Sequence, residues 1–75
     1  MPQLPVISGR DARRAFEKDG WRFDRQRGSH MILVKEGVRV NLSVPDHREL
    51  DRGLLRSLIR DAGLDVDAFL NLLRM

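Results

Sequence analysis

Between Val38 and Val44 the sequence reads VRVNLSV, and it alternates without a break. Val38, Val40, Leu42 and Val44 share one face of an extended strand, and Arg39, Asn41 and Ser43 share the other. A strand with one apolar and one polar face belongs to an antiparallel sheet covered on a single side. Pro45 stops it. In a chain of 75 residues, the cover must come from the rest of the same short sequence. That length predicts one domain over residues 1–75, near the lower limit for a core that stands without staples. The sequence has no cysteine with which to add one.

The neighbouring segments supply the sheet and its cover. SGRDARRAFEKDG predicts a first helix, with Ser8 as its cap, Asp11 at the acidic position of a capping box and Gly20 as its stop. Ala12, Ala15 and Phe16 form its narrow apolar stripe, and Arg10, Arg13 and Arg14 lie off that stripe, toward water or a partner. WRFDRQ alternates next, with Trp21 and Phe23 on one face and Arg22, Asp24 and Gln26 on the other. HMILVKEG is a second strand, and Glu36 to Arg39 form a tight connection into the third. After a polar loop, LLRSLIRDAG predicts a helix with Leu55, Leu58, Ile59 and Ala62 inward and Gly63 closing it. A last helix, DVDAFLNLLRM, has Asp65 as its cap. The order is α-β-β-β-α-α, an α+β fold in which a three-stranded antiparallel sheet carries the helices on one face.

Charge narrows the partners. Fourteen Lys and Arg against 11 Asp and Glu give +3 and a pI near 10.6. Only Lys18 and Lys35 are lysines; the other positive residues are arginines, whose planar fork suits phosphate oxygens. By count along the chain, the whole excess lies in the first 30 residues. A polyanionic partner fits this balance. The opening MPQLPVISGR lacks the charged start and apolar core of a signal peptide, and no run approaches the ~20 apolar residues of a membrane span. The cytoplasm is the expected location. Two histidines 17 residues apart are not a ligand set, so no metal site is expected, and no phosphate-cradling glycine loop or other cofactor motif is present.

Three pieces, in this order and spacing, carry a family resemblance: Arg25-Gln26-x-Gly28-Ser29-His30, Val44-Pro45-x-His47 and Gly53-x-Leu55-Arg56-Ser57. With LPVISGR before them and DAGLDVDAFLNLL after, the chain from Leu4 to Leu73 resembles the HicA (YcfA-like) toxins of bacterial toxin–antitoxin pairs. The resemblance implies a fold similar to double-stranded-RNA-binding domains. It also implies a ribosome-independent RNA endonuclease acting on mRNA, an mRNA interferase, silenced by a HicB-type antitoxin. The family's catalytic histidine follows Gly-Ser, and here that is His30. The family usually has threonine where this chain has Leu54, and leucine cannot cap a helix, so Asp51 is the expected cap instead.

The residues around His30 suit that chemistry. Cleaving RNA requires a proton to leave the attacking 2′-hydroxyl, another to reach the departing 5′-oxygen, and positive charge against the crowded phosphorane. An imidazole moves protons in the right range, and such a group contributes about 10²–10⁴-fold. Arg25 and Arg27 supply charge without competing for the proton. Gly28 lets backbone approach the phosphate, and Ser29 offers a hydroxyl or an amide. Arg22 and Arg39, placed on the wet face by alternation, are further RNA-binding candidates. His47 is a possible second acid or base, although a histidine between Pro45 and an acidic stretch more often braces its turn. Trp21 and Phe23 could stack bases, but the small core needs their area. Two other classes compete with the nuclease: a double-stranded-RNA-binding module that does not cut, and a protein-interaction domain whose basic surface meets an acidic partner.

Overall fold

The computed structural model describes residues 3–75; Met1 and Pro2, the first residues of MPQLPVISGR, lie outside the described residues. The elements run α1 (Gly9–Lys18), β1 (Arg22–Arg27), β2 (His30–Val34), β3 (Leu42–Pro45), α2 (Arg52–Asp61) and α3 (Val66–Arg74). The strands form one antiparallel sheet in the order β1-β2-β3. The α-β-β-β-α-α order and the three-stranded meander are those expected from the sequence.

Each helix begins where a short polar side chain replaces a missing backbone partner. Ser8 Oγ accepts from the Asp11 amide at 3.0 Å, Asp51 from the Leu54 amide at 3.0 Å and Asp65 from the Ala68 amide at 2.8 Å. Asp11 turns its own carboxylate to Arg14. Because Asp51 caps α2, that helix starts two residues earlier than LLRSLIRDAG suggests. Gly53 makes room for the cap, since a Cβ there would lie 3.0 Å from the Asp51 carboxylate.

One apolar cluster joins the helices to one face of the sheet. Phe16 of α1 and Phe69 of α3 are fully buried, with ring centroids 5.2 Å apart. Met31, Leu33, Leu42 and Val44 face them from the sheet, and Leu55 and Ile59 from α2. Trp21 is buried in this cluster and Phe23 packs against it, so both aromatics serve the core. Arg13, expected to face water or a partner, instead lays its guanidinium 4.3 Å from the Phe23 ring centroid.

The strands depart from the sequence reading in three places. β3 spans only four residues, and Val38 and Val40 are 37% and 50% exposed. Its partner explains this: β2 ends at Val34, so the β2–β3 ladder closes at Leu33 with Leu42. Lys35 then departs toward Asp19, 3.3 Å away, and Val38 closes a turn onto the Lys35 carbonyl. Residues 38–40 lie beyond the end of β2, and Asn41, which the register would set opposite Val34, does not join the ladder. The second departure is a bulge in β1 between Phe23 and Arg25. The third is Ile32, which lies on the face away from the helices yet is only 7% exposed and stands outside the core cluster.

Candidate functional site

The turn between β1 and β2 is the narrowest in the molecule. Gly28 and Ser29 form a two-residue loop closed by the Arg27–His30 pair. Gly28 adopts φ +57°, while Ser29 keeps a negative φ, the pattern of a type II′ hairpin turn with glycine first. The Ser29 carbonyl accepts from the Asp46 amide at 2.7 Å, which ties the turn to the end of β3. That end is itself fixed to α1, because the Gly9 amide donates to the His47 carbonyl at 2.9 Å. Arg10 and Asp46 pair beside it at 3.2 Å. First their hydrogen bond and then the carboxylate's charge hold the Arg10 guanidinium above its ordinary pKa.

The bulge in β1 decides which way the arginines point. Phe23 sits opposite Leu33 in the core layer. Unbroken alternation from Phe23 would send Arg25 and Arg27 into that same layer. The extra residue, Asp24, reverses the phase. Arg25 then lies opposite Ile32 and Arg27 opposite His30, on the face away from the helices. Gln26, expected on the wet face, moves to the Met31 row instead. Bulges beside functional sites commonly re-aim side chains in this way.

On the outer face, Arg27, Gly28, His30, Ile32 and Ser43 line a cleft of about 430 Å³, within the roughly 300–1,000 Å³ usual for small-ligand sites. His30 is exposed at its rim. Among the described residues its ring has no hydrogen-bond partner. An unengaged imidazole beside a guanidinium, over an apolar floor with one hydroxyl, can exchange protons with an anion held in the cleft.

The structure thus gathers some of the sequence candidates and separates others. His30, Arg27 and Gly28 share the cleft. Arg25 lies on the same face but its guanidinium pairs with Asp24. Ser29 braces the turn through its carbonyl. Arg22 pairs across to Val34, four residues along β2 from His30 and so about 13 Å away along the strand. Arg39 is not on the sheet face, because the chain leaves the ladder before Leu42. His47 is exposed outside the cleft and engages the fold through its backbone. Two cleft residues, Ile32 and Ser43, were not among the candidates. The period-2 pattern from His30 marks the first, and the wet face of VRVNLSV marks the second.

A family model described as the HicA toxin of bacterial toxin–antitoxin systems matches residues 9–64, well over half of the chain. The chain belongs to the HicA toxin family. The HicA match opens at the first residue of α1 and closes just beyond α2, so it encloses the whole sheet and the His30 cleft. It gives the chain the toxin's role in a toxin–antitoxin system and implies an antitoxin as its partner. No curated protein matches the chain. Among the described residues of this HicA chain, no helix is long and apolar enough to cross a membrane.

Proposed function

We propose that this HicA chain is an RNA endonuclease that cuts mRNA by proton transfer through His30 and is neutralised by a HicB-type antitoxin. The observation that carries the reading is the cleft: an exposed imidazole with no partner among the described residues, set beside Arg27 and Gly28 over an otherwise unused sheet face. A module that only binds RNA needs the arginines and has no use for the imidazole.

In the proposed reaction the scissile phosphate lies against the Arg27 guanidinium and the open backbone at Gly28. The 2′-oxygen attacks phosphorus as it loses its proton, a new P–O2′ bond forms, and the P–O5′ bond breaks as its oxygen gains a proton. His30 handles the transferred proton. The products carry a 2′,3′-cyclic phosphate and a 5′-hydroxyl, and no electrons change hands. Arg27 faces the charge that builds on the phosphorane, where a fixed donor is worth most. Arg25, on the same face one row away, is a weaker phosphate contact because Asp24 already occupies it.

The test is a single chemical change in the substrate. An RNA oligonucleotide cut at a mapped bond is compared with the same oligonucleotide carrying one 2′-deoxy sugar on the 5′ side of that bond. The reading expects cleavage there to stop and every other bond to be cut as before. Continued cleavage at the deoxy position would rule out attack by the 2′-oxygen.

A further inference from the structure

Counted along the chain, the positive excess lies in the first 30 residues, but there most arginines are already paired. Arg10 meets Asp46 at 3.2 Å, Arg13 meets Glu17 at 3.5 Å, and Arg14 and Arg25 pair with Asp11 and Asp24. A second cleft of about 380 Å³ beside α1 contains three of these arginines together with Glu17 and Asp46. Glu17 and Asp46 answer two of its guanidiniums, and Asp11 pairs with the third, Arg14.

The opposite holds at α2. Arg48, Arg52, Arg56 and Arg60 recur at every fourth residue, and all four are exposed. Among the described residues none forms an ion pair. The only acids three residues from any of them are Glu49 and Asp51, and Asp51 is engaged at the Leu54 amide. Like charges four apart on a helix repel and weaken it, whereas a merely solvated helix face commonly interleaves acids and bases. From Arg52 to Arg60 no acid separates the arginines, and an anion lying along such a row relieves their mutual repulsion.

Position and spacing indicate what that is. Pro45 lies directly opposite His30 in the sheet, about 5 Å across the ladder. Arg48 follows three residues later, no more than about 11 Å of chain away. Arg48 therefore lies on the segment that leads from the strand end opposite His30 to α2, and Arg52, Arg56 and Arg60 continue along the helix, advancing about 6 Å for each four residues. That step resembles the spacing of successive phosphates on a nucleic-acid strand.

We propose that Arg48, Arg52, Arg56 and Arg60 form a phosphate track for the RNA strand whose scissile bond lies in the His30 cleft. The inference rests on the RNA reading above and extends it to a second surface. The cleft performs the chemistry, and the track supplies affinity for the strand beyond it without reading bases.

The experiment measures binding of a labelled single-stranded RNA by fluorescence anisotropy over a series of salt concentrations. Every chain carries His30→Ala so that the RNA stays intact. Each phosphate contact on a single strand adds about 0.7 to the slope of log K against log salt. Arg52→Gln, Arg56→Gln and Arg60→Gln together are expected to reduce that slope by about 2, and lysine at the same three positions to restore it. Circular dichroism checks the fold; if the triple variant fails to fold, each single glutamine variant carries the test with a reduction of about 0.7. An unchanged slope overturns the track. So does unchanged RNA binding accompanied by lost binding of the antitoxin, which would make α2 a protein interface. Cleavage by the unaltered chain, measured in parallel, separates the two readings. Cleavage with an unchanged slope sinks the track alone, and a track-dependent slope without cleavage sinks the nuclease alone. If the chain neither binds nor cuts RNA, both fall.

Discussion

Arg25 and Arg27 stand on the same strand and the same face, yet only Arg27 lines the cleft, while Asp24 holds Arg25. Arg27→Ala is expected to lower kcat/KM on RNA by about 10²-fold, the scale for removing one fixed donor to a charged transition state. Arg25→Ala should cost less than about tenfold. Equal losses in the two variants would contradict the placement. At Gly9 the constraint is spatial, because a Cβ there would stand 1.8 Å from the Pro45 carbonyl oxygen. Gly9→Ala is expected to destabilise the chain by at least about 1–3 kcal/mol in urea unfolding, since backbone must shift where α1 meets the end of β3. His30 is singled out by the family resemblance, and the bend at Gly28 and Ser29 was legible as the break between two strand segments. The phase of Arg25 and Arg27 was not. Nothing in WRFDRQR marks Asp24 as the extra residue, and only the cross-strand partners reveal it.

Caps and pairing partners, more than apolar pattern, fix where the elements begin and end. Three caps, Ser8, Asp51 and Asp65, follow from the sequence: Ser8 and Asp65 stand directly before their helical patterns, and Asp51 is the acid left to cap where Leu54 cannot. Asp51→Ala is expected to cost about 1 kcal/mol in the same unfolding measurement. The third strand shows where pattern stops being enough. VRVNLSV alternates over seven residues, but a strand is only as long as the neighbour that accepts its hydrogen bonds, and β2 stops at Val34. Val40→Ala should therefore change stability by no more than about 0.5 kcal/mol. Leu42→Ala, two residues along on a fully buried side chain, should cost about 2–5 kcal/mol. Similar costs at both positions would mean that the ladder extends beyond Leu42. Ile32 is the complementary case: an apolar residue that alternation places on the wet face, and that the cleft shelters.

Across the whole molecule, the sheet works with two different faces. The inner one is sealed by α1, α2 and α3, and the outer one carries the cleft. α3 lies outside the region matched to the HicA family, but Phe69 is fully buried against Phe16, and Lys18 of α1 donates to the Leu72 carbonyl at 3.1 Å near the end of α3. A chain ending at Leu64 keeps every matched residue and should still fail to fold cooperatively, which circular dichroism during heating would show. If His30 and the arginines together supply the chemistry, chelating divalent ions should leave the rate of RNA cleavage unchanged. The most direct measurement is cleavage of a defined RNA by the purified chain and by His30→Ala, each first shown to fold with the same thermal midpoint. Cleavage by the natural chain, reduced about 10²–10⁴-fold or more in the variant, is the predicted result. Equal cleavage by both, or binding without cleavage by the natural chain, would contradict it and leave the cleft as a phosphate grip alone.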